Sequence, residues 1–273
     1  MSIELSVCIP AFNKADALGN NLLSLMNQTF PHDRFEALIC DDGSTDETHE
    51  VVQEAKQHCD FRIRYFYLNR PERSTAALPW NYCIRRAEAP VIVQAGADVI
   101  LAKDALELLA MYVADTDGNT QVFGQAYNIH SPLAQALLEH VPWLDDIHSL
   151  ESILVSSYHH SAYWTVPMLA ALPKTCFERL GGYDESFKGR YPDDSWFWVR
   201  FQASGGNALN PPEVWGAHQW HVQVDPPCGE NCPCPLWQKG RTFPGPTMKF
   251  NGDPKDLIVN PDGWGEFADS EER

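Results

Sequence analysis

Two short apolar runs near the start of the chain restrict its fold more than any other feature. Leu5 to Pro10 ends in Ala11-Phe12-Asn13-Lys14, and Phe35 to Cys40 ends in Asp41-Asp42-Gly43-Ser44. Each is short enough and apolar enough to be a strand buried on both faces. Between them Leu18, Leu22, Leu25 and Met26 recur at i, i+4, i+7 and i+8, which predicts a helix with one apolar face. A strand, helix, strand unit of this kind makes parallel neighbours. Both polar ends then emerge on one sheet edge, where open α/β sheets bind ligands.

The alternation continues. Ser44-Thr45-Asp46-Glu47 has the form of a capping box opening a second helix through Val51, Val52 and Ala55. Arg62 to Tyr67 reads as a strand near the sheet edge, Trp80 to Ala87 as a short helix and Pro90 to Gln94 as a buried strand. Lys103 to Val113 reads as a helix with Leu106, Leu109 and Val113 on one face. Four such repeats predict an α/β fold with a mostly parallel sheet flanked by helices. Beyond residue 120 the rhythm weakens. Thr120 to Tyr127 suggests one more strand, and Ser131-Pro132 suggests a helix start. Pro142 to Tyr163 has no period, and the Pro- and Gly-rich stretch from about residue 225 reads as a loop-rich extension. Its acidic end, Asp262 to Glu272, reads as a solvated tail.

Composition narrows the function classes. A formal net charge of −17 opposes binding to a nucleic-acid backbone, which needs clustered Lys and Arg. It does not oppose one phosphate-bearing small ligand. No apolar run is long enough to span a membrane, and the N-terminus lacks the apolar core of a signal peptide, so a cytoplasmic protein is expected. Neither a Gly-x-Gly-x-x-Gly fingerprint nor a Gly-x₄-Gly-Lys-Ser/Thr phosphate loop is present.

The residues with chemical potential fall in an ordered series. After the two strand ends come Asn81 in Pro79-Trp80-Asn81-Tyr82, and Val91 to Ile100, which contains Gly96-Ala97-Asp98. Leu180-Gly181-Gly182-Tyr183-Asp184-Glu185 follows, then Pro192-Asp193-Asp194-Ser195-Trp196-Phe197-Trp198, then His218-Gln219-Trp220-His221. In this order, over roughly residues 4 to 222, the series resembles family 2 glycosyltransferases of the GT-A fold, which use nucleotide-sugar donors.

The resemblance implies an inverting transferase with a UDP-type donor. Asp41, with Asp42 beside it, would read the base, and Pro10, Ala11, Phe12 and Asn13 would line its pocket. Asn81 would lie near the donor, and Arg73 would be placed to touch the diphosphate. Ala97 and Asp98 occupy the family's Asp-x-Asp position, where Gly96 replaces the first Asp. Asp98 with His218 or His221 would hold Mn²⁺, or Mg²⁺, on the diphosphate. Asp194 aligns with the general base, and Gly182, Asp193 and Trp196 with the acceptor side. A glycosyltransferase domain over residues 1–225 is expected, with a donor half at 1–115 and an acceptor half at 116–225, followed by an extension over 226–273. The acceptor would be a glycan, a protein or a small molecule; the oligomeric state is open.

Plainer readings stand beside these. Asp-Gly-Ser is ordinary turn chemistry, Asp98 and Asp194 could be helix caps, and Trp196 and Trp198 could be core. Cys228, Cys232 and Cys234 have ligand types for zinc but not a standard knuckle spacing, so reduced loop thiols are the favoured reading over zinc or a disulfide. The competing functions are a non-catalytic nucleotide-sugar-binding scaffold and a nucleotidyltransferase of the same layout.

Overall fold

A computed structural model describes residues 2–70, 75–129, 136, 154–158, 167–187, 193–220, 252–260 and 263–273. The chain begins with β1 (Leu5–Ala11), α1 (Ala15–Leu25), β2 (Phe35–Asp41), α2 (Thr48–His58) and β3 (Arg62–Leu68). It continues through α3 (Ala77–Arg86), β4 (Val91–Ala95), β5 (Val99–Leu101) and α4 (Ala105–Ala114). Strands β6 (Thr120–Phe123), β7 (Gln125–Ile129), β8 (Leu154–Tyr158) and β9 (Leu169–Pro173) follow. Then come α5 (Lys174–Leu180), α6 (Asp193–Ala203), β10 (Asn207–Leu209), β11 (Trp215–His218) and β12 (Ser270–Glu272).

The main sheet has the order β10-β6-β9-β4-β1-β2-β3-β12. Its centre, β4-β1-β2-β3, is parallel, as the strand, helix, strand reading requires. Side chains alternate between the two faces along each central strand. Val7, Ile9, Ala37 and Ile39 pack with Leu18 and Leu22 of α1 and Val52 of α2. Cys8, Leu38 and Cys40 face the other way, into a cluster with Ile84 of α3 and Phe177, Phe197 and Phe201. Both faces are covered, which accounts for the unbroken apolar runs in the sequence.

Four local expectations change. The second helix starts at Thr48 rather than after Ser44, because the Ser44 hydroxyl accepts the Asn13 N–H instead. Asp46 takes over the helix end by accepting from the Thr48 N–H and hydroxyl. The expected strand 120–127 is two strands in two sheets. The chain crosses over at Gly124, where a Cβ would meet Leu169 and Val214 at 2.9 to 3.0 Å. The acidic tail is not a solvated end. Ser270–Glu272 pairs antiparallel with Phe66–Leu68, so β3 is the next-to-edge strand, and Glu272 bonds Arg64 at 3.0 Å. The region 142–163, read as aperiodic, contains β8 paired with β7. The expected helix at Ser131, and Cys228, Cys232 and Cys234, lie outside the described residues.

The second sheet, β5-β11-β7-β8, matters for position. Antiparallel pairing of β11 with β5 sets His218 opposite Val99.

Candidate functional site

The carboxyl ends of β1, β2, β3 and β4 place their following residues along one edge. Pairing of Ala11 with Asp41 and of Asp41 with Tyr67 keeps the tips level. Pro10 and Phe12 are half-buried at the β1 tip, and the Asp42 N–H donates to the Ala11 carbonyl at 2.8 Å. Asp41 is buried. One oxygen accepts the Ser44 N–H at 2.7 Å and the other the Tyr65 hydroxyl at 2.5 Å. Burial, then the bond to Asp41, push the Tyr65 phenol well above its ordinary pKa, so Tyr65 stays the donor. Each carboxylate oxygen retains a second lone pair for an N–H donor. Asp42 is committed to an ion pair with Arg70 at 2.5 Å. Tyr65 and Arg70 have no signature in sequence beyond their place at the end of β3.

Asp98 follows β4 in the turn to β5. The β5–β11 register brings His218 to it, with Nε2 at 3.5 Å from Oδ2, and the Gln219 N–H donates to the Asp98 carbonyl at 2.8 Å. Lys14, just beyond the β1 tip, places Nζ at 2.9 Å from the same Oδ2. Burial alone would raise the Asp98 carboxyl. The His218 bond and the Lys14 charge outweigh it and hold the group well below the usual carboxylate range. Ala97 is buried beside it. Gly96 is a close fit, since a Cβ there would stand 3.0 Å from Asp98 Oδ1. Carboxylate and imidazole are the donor types that Mn²⁺ takes together with diphosphate oxygens. Among the described residues no cluster of three His, Cys, Asp or Glu ligands exists. Asp98 and His218 therefore fit a cation that draws its remaining ligands from a bound diphosphate. His221 and Arg73 lie outside the described residues.

Helix α6 opens with Asp193 and Asp194. Asp193 is buried, with Oδ2 unpartnered, and burial pushes its carboxyl up to about 6 despite backbone N–H bonds and a bond from Thr75. Thr75 in turn offers its carbonyl to Arg70, the partner of Asp42, at 3.3 Å. This chain of contacts ties the start of α6 to the tips of β2 and β3. Asp194 Oδ1 is buried with no hydrogen-bond partner, and burial plus the neighbouring Asp193 charge push its carboxyl well above the usual range. Trp196 is half-buried, whereas Trp198 packs edge-on against Phe123 at 5.5 Å and belongs to the core.

Two expected ligand residues are occupied elsewhere. Asn81 is fully buried in α3 and braces the 181–187 loop. Its amide donates to the Tyr183 carbonyl at 2.8 Å and to Glu185 at 2.7 Å, and its oxygen accepts the Tyr183 N–H at 2.7 Å. A motif match near the donor did not reveal this, because the contact spans about 100 residues. Gly182, with φ at +70°, lies against Asn81 and Trp264, where a Cβ would meet heavy atoms at 2.4 and 2.7 Å. Its absent side chain lets the loop close on α3, and its N–H donates to the Phe177 carbonyl at 2.9 Å while its carbonyl accepts from Arg200 at 2.7 Å.

Comparison with known proteins agrees with this layout. The family model described as glycosyl transferase family 2 matches residues 6–153. The validoxylamine A glucosyltransferase of Streptomyces hygroscopicus subsp. jinggangensis is 28% identical over 240 residues, covering 81% of this chain and 56% of that protein. A putative teichuronic acid biosynthesis glycosyltransferase, TuaG of Bacillus subtilis, is 34% identical over 103 residues, 38% of this chain and 39% of that protein. The chain thus spans about half the length of the first of these relatives. Among solved structures, TarS 1–349 of S. aureus in complex with UDP superposes with a TM-score of 0.60 at 16% identity, covering 80% of this chain and 61% of that one. The mannosyltransferase PcManGT of Pyrobaculum calidifontis, in complex with GDP-Man and Mn²⁺, gives 0.57 at 23% identity, covering 82% and 59%. These likenesses show the α/β, GT-A type fold. Since the family model covers more than half of the 273 residues, the chain belongs to glycosyl transferase family 2.

Proposed function

We propose that this chain is an inverting glycosyltransferase that moves a sugar from a UDP-type nucleotide sugar to an acceptor hydroxyl, with Asp194 as the general base. The observation that carries this reading is the buried, unpartnered Asp194 Oδ1 at the start of α6. An unsatisfied buried carboxylate costs stability, so its retention favours a functional role over a helix cap. A base must also sit apart from the leaving-group site. Asp194 belongs to a separate element, the start of α6, whereas Asp98 lies in the β4–β5 turn and His218 ends β11.

In the proposed reaction Asp41 accepts from the base N–H, and Pro10, Ala11, Phe12 and Asn13 form the rim of the base pocket. Asp194 removes the acceptor proton as the acceptor oxygen forms its bond to the anomeric carbon. The bond from that carbon to the diphosphate oxygen breaks on the opposite face, which inverts the centre. A divalent cation held by Asp98 and His218, when bound, offsets charge on the departing diphosphate. Residues 1–115 would thus carry the donor and 116–225 the acceptor side, with Trp196 exposed enough to meet a sugar face. The UDP complex of TarS supports the choice of nucleotide, and the GDP-Man and Mn²⁺ complex of PcManGT supports a metal-assisted donor. No helix among the described residues is long and apolar enough to cross a membrane.

A thermal-shift screen of UDP- and GDP-sugars with and without Mn²⁺ tests the reading. A ligand at about 100 times its Kd stabilises the native state by about 2.7 kcal/mol. For a chain of this size that is a Tm rise on the order of 5 °C or more. Asp98→Ala is expected to remove most of the Mn²⁺-dependent part of the shift and leave the shift from uridine unchanged. No shift with any nucleotide sugar would overturn the reading.

A further inference from the structure

Lys14 closes the β1 strand end without a role of its own in the resemblance, yet its ammonium lies 2.9 Å from Asp98 Oδ2. Its position is built with some strain. Asn13 adopts φ of +47°, in the left-handed region that costs a non-glycine residue stability. Two bonds across to the β2–α2 loop hold it there. The Asn13 N–H donates to the Ser44 hydroxyl at 2.8 Å, and the Asn13 side-chain oxygen accepts the Thr45 N–H at 2.8 Å. The turn they enforce starts α1 at Ala15 and delivers Lys14 Nζ to Asp98 Oδ2. Strain held by several contacts at a strand tip is a mark of functional positioning.

The charge balance points the same way. With Gly96 in place of a first Asp, one carboxylate, Asp98, faces one ammonium, Lys14, at 2.9 Å. A second carboxylate would outnumber that ammonium and oppose an incoming diphosphate. The Lys14 and Asp98 side chains are 26% and 18% exposed, so the pair is reachable from solvent. An ammonium has three donors, and in the described residues Asp98 takes one of those on Lys14.

We propose that Lys14 is a diphosphate-binding residue, so that this chain holds a nucleoside diphosphate in the absence of a divalent cation. The inference rests on the donor reading above and deepens it. Lys14 supplies fixed positive charge where a single remaining carboxylate holds a cation less firmly. Were Asp98 and His218 to hold a cation, the Lys14 ammonium would turn to the diphosphate oxygens.

Calorimetric titration of the full chain with UDP and with uridine, each in EDTA and in Mn²⁺, tests this. Wild type is expected to bind UDP in EDTA. Lys14→Met is expected to weaken that binding by about tenfold to a hundredfold, the range for a lost charge-assisted contact. Its loss in Mn²⁺ is expected to be smaller, its uridine affinity unchanged, and Lys14→Arg is expected to recover most of the lost UDP affinity in EDTA. Wild type that binds UDP only with Mn²⁺, or a Lys14→Met variant that matches wild type in EDTA, would overturn the role of Lys14 while leaving the donor reading intact. Equal weakening of UDP and uridine in Lys14→Met would also overturn it, by assigning the effect to the fold of the β1 tip. Failure of wild type to bind UDP and uridine in both conditions would overturn the donor reading itself, and the inference with it.

Discussion

Replacing Asp194 by Asn is expected to lower kcat by about 10²- to 10⁴-fold, the usual contribution of a positioned general base, without destabilising the chain. The two halves of this expectation have one cause. Burial first, then the charge of Asp193, raise the Asp194 carboxyl well above its ordinary range. A carboxyl raised in the folded state favours folding most at low pH, where it is protonated in both states. That contribution is lost as pH rises from the unfolded value near 4 through the raised folded value. Asp193, raised to about 6, adds a loss in the same direction. The uncharged amide of Asn escapes the cost. Melting curves of wild type and Asp194→Asn should therefore converge near pH 4, with the variant level or higher at pH 8. The ionised form is the active base, so wild-type kcat should rise with pH through the raised value, and this limb should vanish in the variant. Turnover within a few-fold of wild type, or a variant several degrees less stable at pH 8, would contradict the assignment.

Removing residues 263–273 is expected to lower Tm on the order of 10 °C and to impair transfer more than donor binding. These residues form part of the folded body. Trp264 packs against the α3 and α6 cluster, and β12 completes the sheet edge on β3. The Gly265 N–H donates to Glu185 at 2.7 Å, beside the Asn81 amide that holds the same oxygen. Arg85 and Arg86 donate to the Trp264 and Gly265 carbonyls at 2.8 and 2.7 Å. Loss of a fully buried Trp costs about 3–5 kcal/mol, of which half-buried Trp264 forfeits part, and each kcal/mol shifts Tm by about 2–4 °C at this size. Glu185, already raised by burial, would lose one of the donors that stabilise its charge. The point variant Gly265→Ala separates packing from chain length. Gly265 has φ of +65°, and a Cβ would lie 2.5 Å from the Asn81 carbonyl oxygen, so the segment must lift away. The truncated chain should still bind UDP, because Asp41, Lys14 and Asp98 lie outside the removed contacts. An unchanged Tm for the truncation would show that the tail contributes nothing.

How much was legible follows from the range of the forces involved. The β1, α1, β2 unit was readable because burial on both faces of a strand, and on one face of a helix, imprints period and length on neighbouring residues. The capping box at Ser44 misled because a hydroxyl serves whichever N–H reaches it, and here the Asn13 N–H, 31 residues away, does. The strand at 120–127 misled because its two halves answer to different partners, β9 and β11, on either side of Gly124. The tail looked solvated because an edge strand tolerates charge, and Glu272 finds Arg64 across it. For the site, Asp98 and His218 were paired by the family resemblance and by ligand chemistry, and the β5–β11 register supplied the contact. Lys14, Tyr65 and Arg70 escaped notice because the carboxylates they meet, Asp98, Asp41 and Asp42, lie 84, 24 and 28 residues away in the chain.

From its residues alone, this chain declared a doubly covered parallel sheet, the edge where its polar strand ends gather, and the carboxylate and imidazole types found there. Those traits arise from hydrophobic periodicity and turn chemistry, which act over a few residues. Only the folded chain decided that Asn81 and Gly182 brace a loop, that Asp98 is shared between Lys14 and His218, and that the last eleven residues belong to the body. Such assignments depend on which of several suitable partners comes within about 3 Å, and strand register and helix packing set that distance.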